Sequence, residues 1–324
     1  MIDRYITYLR DVRRYSPRTQ TLYRQALETF ARWAEAGEDG NGLLPQLIPS
    51  RIREYEGHLI EEGLKPRTVH LHMSALSGLC NFLLKSGVIQ SNPVRTVRRP
   101  KMEKRLPEYF TERSLETYLE ETRADAGQDT LDLLLQLGPG DRTAVELYRR
   151  RLRRLIIALL YGTGIRRAEL IALQVGSVDR SRNTLRVRGK GDKMREIPLI
   201  ISLSQEISLY LQAASSMAGV PRPATAPLLI TEKGRPLYPE YVDRAVKAEL
   251  QGREGITGRK SPHVLRHSLA TALLDEGADL NAIKEMLGHE SLAATEVYTH
   301  NSIERLKTQY MNAHPRAKNE DRND

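Results

Sequence analysis

Thr184-Leu185-Arg186-Val187-Arg188-Gly189-Lys190-Gly191-Asp192-Lys193-Met194-Arg195-Glu196-Ile197-Pro198-Leu199 is the stretch that decides the fold class. Branched residues alternate on both sides of a Gly-rich turn, the pattern of a β-hairpin. Elsewhere the apolar residues recur at helical spacing. Glu112 to Leu119 and Val145 to Leu160 are helical by pattern, and helices dominate again from about Ser202 onward. The chain therefore reads as mainly α with a small β-hairpin or sheet, an α+β class.

The first 85 or so residues read as helices. Ser16 precedes Pro17, Arg18 and Thr19 and is placed to cap a helix with proline in its first turn. Leu22, Ala26, Leu27, Phe30 and Trp33 then give one apolar face. Lys65-Pro66-Arg67-Thr68 opens a second helix the same way. Arginines at helix starts suit phosphate, but solvated N-terminal turns explain Arg18 and Arg67 equally well. Residues 91–105, SNPVRTVRRPKMEKR, hold Arg95, Arg98, Arg99, Lys101, Lys104 and Arg105 against one acid, with two prolines and no apolar periodicity. They read as an extended basic linker. Between Glu121 and Ala144 the chain is polar around the Leu-rich run Leu131–Leu137, and Ala313 to Asp324 is a polar end.

A length of 324 residues matches two domains at about 100–200 residues each. The boundaries expected are 1–88 for a helical domain, 89–106 for the linker, 107–317 for a second domain and 318–324 for a tail. Lys and Arg exceed Asp and Glu by 9, which points toward a polyanionic partner. The single cysteine, Cys80, excludes an internal disulfide framework and reads as a small buried hydrophobe. No run of 18 apolar residues exists, and the start at Met1-Ile2-Asp3-Arg4 is unlike a secretion signal. A cytoplasmic protein that does not engage membranes is expected.

Reactive side chains sit at five defined places. Arg166 follows the glycine turn Gly162-Thr163-Gly164, with Glu169 three residues on. Lys190 occupies the hairpin turn. His263 and Arg266 are three apart at the start of a helix and so share a face. His289 follows Gly288, and Tyr298 lies nine residues further. Two arginines, two histidines, a lysine and a tyrosine suit a phosphodiester. Guanidinium forks neutralise the non-bridging oxygens, a lysine protonates the leaving oxygen, a histidine takes the phenol proton, and the tyrosine attacks. The guanidinium pair supplies the positive charge, so neither metal nor cofactor is called for, and the carboxylate cluster of a two-metal nuclease is missing. His263 and His267 are four apart, but Val264, Leu265 and Arg266 stand between them in place of the glutamate of a zinc-protease motif. Taken singly, each of these residues has an ordinary structural reading; the inference rests on the joint set and its order.

Those motifs resemble the tyrosine recombinase, or phage integrase, family, and are most similar to its bacterial Xer branch. The resemblance runs through SPRT at the first helix start, TGIR-RAEL around Arg166, GKGDK around Lys190, SPHVLRHSLAT around His263 and Arg266, LGHESL around His289 and EVYTH around Tyr298. It implies an N-terminal SAM-like helical core-binding domain and a C-terminal catalytic domain clamped around double-stranded DNA. It implies site-specific cutting and rejoining through a 3′-phosphotyrosyl intermediate and a Holliday junction, with a homo- or hetero-tetramer on two duplexes and room for an activating protein. By position, Arg166 and Arg266 would bind the scissile phosphate, Lys190 would be the general acid, His263 the acid/base residue, His289 a phosphate support, Tyr298 the nucleophile and Glu169 a buttress. Arg18, Arg67 and the linker cations would contact DNA. Ile303, Leu306, Tyr310 and Met311 form one apolar helix face, which the resemblance assigns to a neighbouring protomer.

Two features depart from the Xer pattern: the longer segment around Ala124 to Tyr148, and Arg167 where a neutral residue is usual. Chromosome dimer resolution is the activity expected first. DNA inversion or mobile-element integration is the alternative within the family. A DNA-binding relative without catalysis is the alternative from another class, and such a protein would have no use for Lys190 and Tyr298.

Overall fold

The computed structural model describes residues 1–34, 41–97, 108–189 and 192–288. The chain divides into two compact units, Met1–Arg105 and Leu106–Asp324.

The first unit is built from α1 (Ile2–Asp11), α2 (Pro17–Trp33), α3 (Pro49–Glu61) and α4 (Pro66–Lys85). Ser16 caps α2 as its position predicts: its Oγ accepts the Thr19 N–H at 3.2 Å. Leu27, Phe30, Ile52, Tyr55, Met73 and Leu76 form the centre of the core. The Tyr55 hydroxyl pairs with His72 Nδ1 at 2.7 Å, which satisfies a phenol otherwise shut away from water. A Cβ at Gly78 would stand 2.1 Å from the Tyr5 hydroxyl, so α4 needs glycine where α1 crosses it. Cys80 is fully buried, and burial pushes its thiol up to about 12.

The stretch read as an extended linker is folded at its start. Asn92 Oδ1 accepts the Val94 N–H at 3.1 Å and caps a 3₁₀ turn over Pro93–Thr96. Its Nδ2 donates to the Asn81 carboxamide at 2.9 Å and to the Ser77 carbonyl at 3.1 Å. Val94 and Val97 drop into the core of the first unit. Two apolar residues three apart are too few to register as periodicity, yet a single 3₁₀ turn places both on one side.

The second unit runs α5 (Glu112–Glu121), α6 (Arg123–Ala126), α7 (Gln128–Leu137), α8 (Arg142–Thr163), α9 (Arg167–Ala172), β1 (Val178–Asp179), β2 (Thr184–Arg188), β3 (Met194–Pro198), α10 (Ile201–Ala218), α11 (Pro239–Leu250), α12 (Pro262–Asp275) and α13 (Leu280–Leu287). The hairpin forms as its alternation predicts, with Leu185 opposite Ile197 and Val187 opposite Arg195. β1 adds a third antiparallel strand, giving the order β1-β2-β3. Two residues are too short to show a period, so β1 has no signature of its own.

Helix α8 is the axis of this unit. Every residue from Leu155 to Tyr161 has no exposed surface, and α7, α10, α11 and α12 pack around it. Burying that many apolar side chains, at about 1.5–3 kcal/mol each, is the main source of the unit's stability. The polar stretch before α8 is helical because α8 holds it. Arg151 donates to the carbonyls of Ala126 at 2.9 Å and Gly127 at 2.6 Å. Arg154 donates to Leu119 at 3.0 Å and Thr122 at 2.8 Å, and pairs with Glu206 at 2.6 Å. These arginines satisfy carbonyls that the breaks between α5, α6 and α7 leave open. Among the described residues no helix is long and apolar enough to cross a membrane.

Candidate active site

The site begins at the end of α8. Gly164 takes the left-handed conformation, φ +62, and stops the helix. A Cβ there would lie 2.4 Å from Leu287 Cδ2 and 3.0 Å from Leu269 Cδ2. Glycine is therefore required twice, for its φ and for the approach of α12 and α13. The turn delivers Arg166 to the N-cap of α9, whose first turn holds Glu169. The Glu169 carboxylate accepts the Arg166 N–H at 2.9 Å through Oε2 and the Arg166 guanidinium at 2.8 Å through Oε1.

Arg266 comes from the second turn of α12 and is 8% exposed. Its Nη1 donates to the Gly164 carbonyl at 2.5 Å and its Nη2 to the Leu287 carbonyl at 2.7 Å. Arg166 Nη2 donates to the next carbonyl, Gly288, at 2.8 Å. The last turn of α13 thus gathers two guanidiniums from distant helices onto neighbouring carbonyls, where the helix dipole favours positive charge. His289 is the next residue in the chain.

A third arginine completes the cluster. Arg195 on β3 is 6% exposed, and its Nε donates to the Met286 carbonyl at 2.9 Å. Its two terminal nitrogens embrace Glu169, at 3.1 Å to Oε1 and 2.8 Å to Oε2. The cluster holds three guanidiniums and one carboxylate, which Arg166 and Arg195 bind directly, and so carries an excess of two positive charges. Burial pushes the Arg266 pKa down, to about 10, aided by repulsion from Arg166 and Arg195 and opposed by Glu169; the group stays charged at neutral pH. Burial alone would raise the Glu169 pKa. The hydrogen bonds from Arg195 and Arg166, with the Arg195 charge, outweigh burial and hold it below the usual carboxylate value.

His263 lies one turn before Arg266 on α12 and faces solvent. Its pKa is depressed, first by partial desolvation and then by the charges of Arg167, Arg266 and Arg259. Arg167, the departure noted above, pairs with Asp243 of α11. His267 is not drawn into the cluster; its ring stands edge-on to Tyr109 at 6.5 Å. Among the described residues no His, Cys, Asp and Glu group has the makings of a metal site.

Of the residues expected from sequence, Arg166, Glu169 and Arg266 come together, with His263 on the same helix as Arg266. Arg18, Arg67 and Arg95 are exposed on the first unit. Lys190, His289, Tyr298, Arg98, Arg99, Lys101, Lys104, Arg105 and the 303–311 face lie outside the described residues. Arg195 is absent from the sequence expectation. Its signal was available: strand alternation puts Arg195 on the same side of β3 as Ile197, facing the core, where an arginine needs a partner.

The family model described as "Phage integrase family" matches residues 146–305, and that described as "Phage integrase, N-terminal SAM-like domain" matches residues 2–87. The tyrosine recombinase XerC of Chlorobaculum parvum is 34% identical over 98% of this chain and 94% of its own length. The tyrosine recombinase XerC of Bacillus licheniformis is 34% identical over 97% of this chain and 95% of its own. Among solved structures, the Tn1549 transposon integrase in complex with transposon right end DNA shares the fold, with a TM-score of 0.64, 19% identity and coverage of 94% of this chain and 97% of that one. The XerH site-specific recombinase bound to palindromic difH substrate also shares it, with a TM-score of 0.62, 22% identity and coverage of 95% and 83%.

Proposed function

The chain belongs to the phage integrase family of tyrosine recombinases, and from that membership we infer that it is a Xer-like site-specific recombinase acting on double-stranded DNA. The observation that carries this reading is the convergence of Arg166 and Arg266 on the adjacent carbonyls of Gly288 and Leu287. Backbone anchoring fixes part of each fork and leaves the cluster with positive charge beyond what Glu169 neutralises. A scissile phosphate is the group such a surplus fits.

In this mechanism Arg166 and Arg266 hold the two non-bridging oxygens as charge builds on them. The Tyr298 phenol oxygen attacks phosphorus, and its proton passes to neutral His263. A bond forms between the phenol oxygen and phosphorus while the bond from phosphorus to the 5′-oxygen breaks. Lys190, from the turn that Gly189 opens, gives that oxygen its proton. The product is a 3′-phosphotyrosyl link and a free 5′-hydroxyl. His289 supports the phosphate from the end of α13. Rejoining runs the same steps in reverse with a 5′-hydroxyl from the second duplex, so one phosphoester replaces another at each stage and no external energy is consumed. Exchange between two duplexes needs four protomers, of this chain alone or with a second recombinase. Ile303, Leu306, Tyr310 and Met311 are the face assigned to the neighbour. The basic segment Arg98, Arg99, Lys101, Lys104 and Arg105, with Arg18, Arg67 and Arg95, contributes phosphate contacts. Resolution of chromosome dimers is the role this reading favours.

The test starts from fragmented genomic DNA of the source organism. The sequence that the protein protects is rebuilt as a duplex nicked near the cleavage point and incubated with the protein in EDTA. A covalent protein–DNA product supports the reading. A mobility shift without any covalent product would make the chain a DNA binder.

A further inference from the structure

The geometry points to Arg195 as the positioning residue that keeps Glu169 from neutralising Arg166. This rests on the reading of Arg166 as a phosphate ligand and adds to it. Arg195 grips both Glu169 oxygens, at 3.1 and 2.8 Å, while Arg166 reaches Oε1 with one nitrogen at 2.8 Å. The carboxylate is buried, at 6% exposure, so water screens it little. Were Arg195 missing, the whole anionic charge would fall on Arg166, and the excess positive charge facing the phosphate would be halved.

Arg195 is also hydrogen-bonded to the last turn of α13 and packed against the backbone beside two assigned active residues. Its Nε holds the Met286 carbonyl in the last turn before Gly288 and His289. A Cβ at Gly288 would lie 3.2 Å from Arg195 Nη1, and one at Gly189 would lie 3.3 Å from the same nitrogen. Gly189 precedes Lys190 and Gly288 precedes His289, so both backbones lie against one guanidinium. Lysine cannot replace this, because a single ammonium has no planar fork to meet two carboxylate oxygens and a carbonyl at once. Arg195 touches no reacting atom in this arrangement and acts through Glu169.

The consequence is a suppression that a merely structural salt bridge would not produce. Single-turnover cleavage of the nicked duplex is measured for Arg195→Met, Glu169→Gln and the double variant, with thermal melting of each. Arg195→Met should slow cleavage about 100-fold, the order of loss seen when oriented charge at a phosphate or oxyanion is removed. Adding Glu169→Gln removes the carboxylate, restores the excess of two positive charges and should recover about tenfold or more. A double variant as slow as Arg195→Met, or slower, overturns the proposal. If Arg195→Met melts below the assay temperature, the equally neutral Arg195→Gln is measured in both backgrounds, and the same suppression is required. Arg166→Ala and Arg266→Ala separate the two levels. If both cleave at the wild-type rate, the phosphate-site reading itself fails. If both are inactive while suppression is absent, only the role of Arg195 fails.

Discussion

Arg166 and Arg266 end on consecutive carbonyls, Gly288 at 2.8 Å and Leu287 at 2.7 Å, although 100 residues separate them in sequence. Glu169 of its own helix α9 also holds Arg166, whereas the Arg266 guanidinium is held from outside α12. The end of α13 collects them, and the same end leads into His289. The spacing of the two forks is therefore a property of three packed elements, α9, α12 and α13, and changes that loosen any of these contacts should be felt in the chemistry.

Arg266→Ala removes one fork and leaves the Gly164 and Leu287 carbonyls without their donor. Cleavage should fall about 100- to 1000-fold, and stability by about 1–3 kcal/mol for the unsatisfied groups. Single-turnover kinetics and denaturant melts separate the two effects.

Gly164→Ala places a Cβ 2.4 Å from Leu287 at a φ of +62. The strain of that conformation adds to the clash, and the expected loss is about 2–5 kcal/mol. Gly219 also ends its helix, at φ +69, but has open space around it. Gly219→Ala should therefore cost only the left-handed conformation, about 1–2 kcal/mol, and a melting comparison of the two variants checks the difference.

His263 has a pKa below its ordinary 6.5 because it is partly desolvated and lies in the field of Arg167, Arg266 and Arg259, which Asp243 opposes. Acting as a base, it works in the neutral form. The cleavage rate should thus be flat at and above neutrality and fall only at pH below 6.5. The same depressed pKa means that the unfolded chain binds this proton more readily. Stability contributed by neutral His263 is present above the unfolded value near 6.5 and declines as pH drops through it. Arg167→Gln removes a cation and frees Asp243 from its partner; both changes raise the His263 pKa. The acid limb of the rate profile and the ring-proton NMR titration should both move to higher pH.

Arg18, Arg67 and Arg95 are exposed and have no salt bridge among the described residues. If each touches a phosphate, replacing it by glutamine should weaken binding to all sequences alike and lower the salt-dependence slope by about one unit. Titrations at several salt concentrations, on specific and random duplexes, read this directly.

Much of the architecture was legible because its signals are local. Ser16 with Pro17 marks a helix start, and Leu185 and Val187 alternate with Arg186 and Arg188 along β2. The helices α6 and α7 were not legible, because what secures them is Arg151 and Arg154 on α8, about 25 residues away or more, donating to their open carbonyls. The Asn92–Val97 turn is of the same kind: it depends on Ser77 and Asn81 of α4. At the site, Arg166, Glu169 and Arg266 stood out because each is fixed near a helix start or glycine turn. Arg195 was passed over as one polar residue of a hairpin. Its importance comes from where Glu169, Gly288 and Met286 lie in space, and only its side of the strand was written in the sequence.

Under the proposed function, cleavage joins the DNA to Tyr298. The most direct measurement is mass spectrometry of the proteolysed covalent product trapped on a nicked duplex, for the wild type and for Tyr298→Phe. A 3′-nucleotide phosphate is expected on the peptide containing Tyr298, with no adduct from the Phe variant although it still binds the duplex. An adduct on another of the 14 tyrosines, or an adduct that persists in Tyr298→Phe, would contradict it.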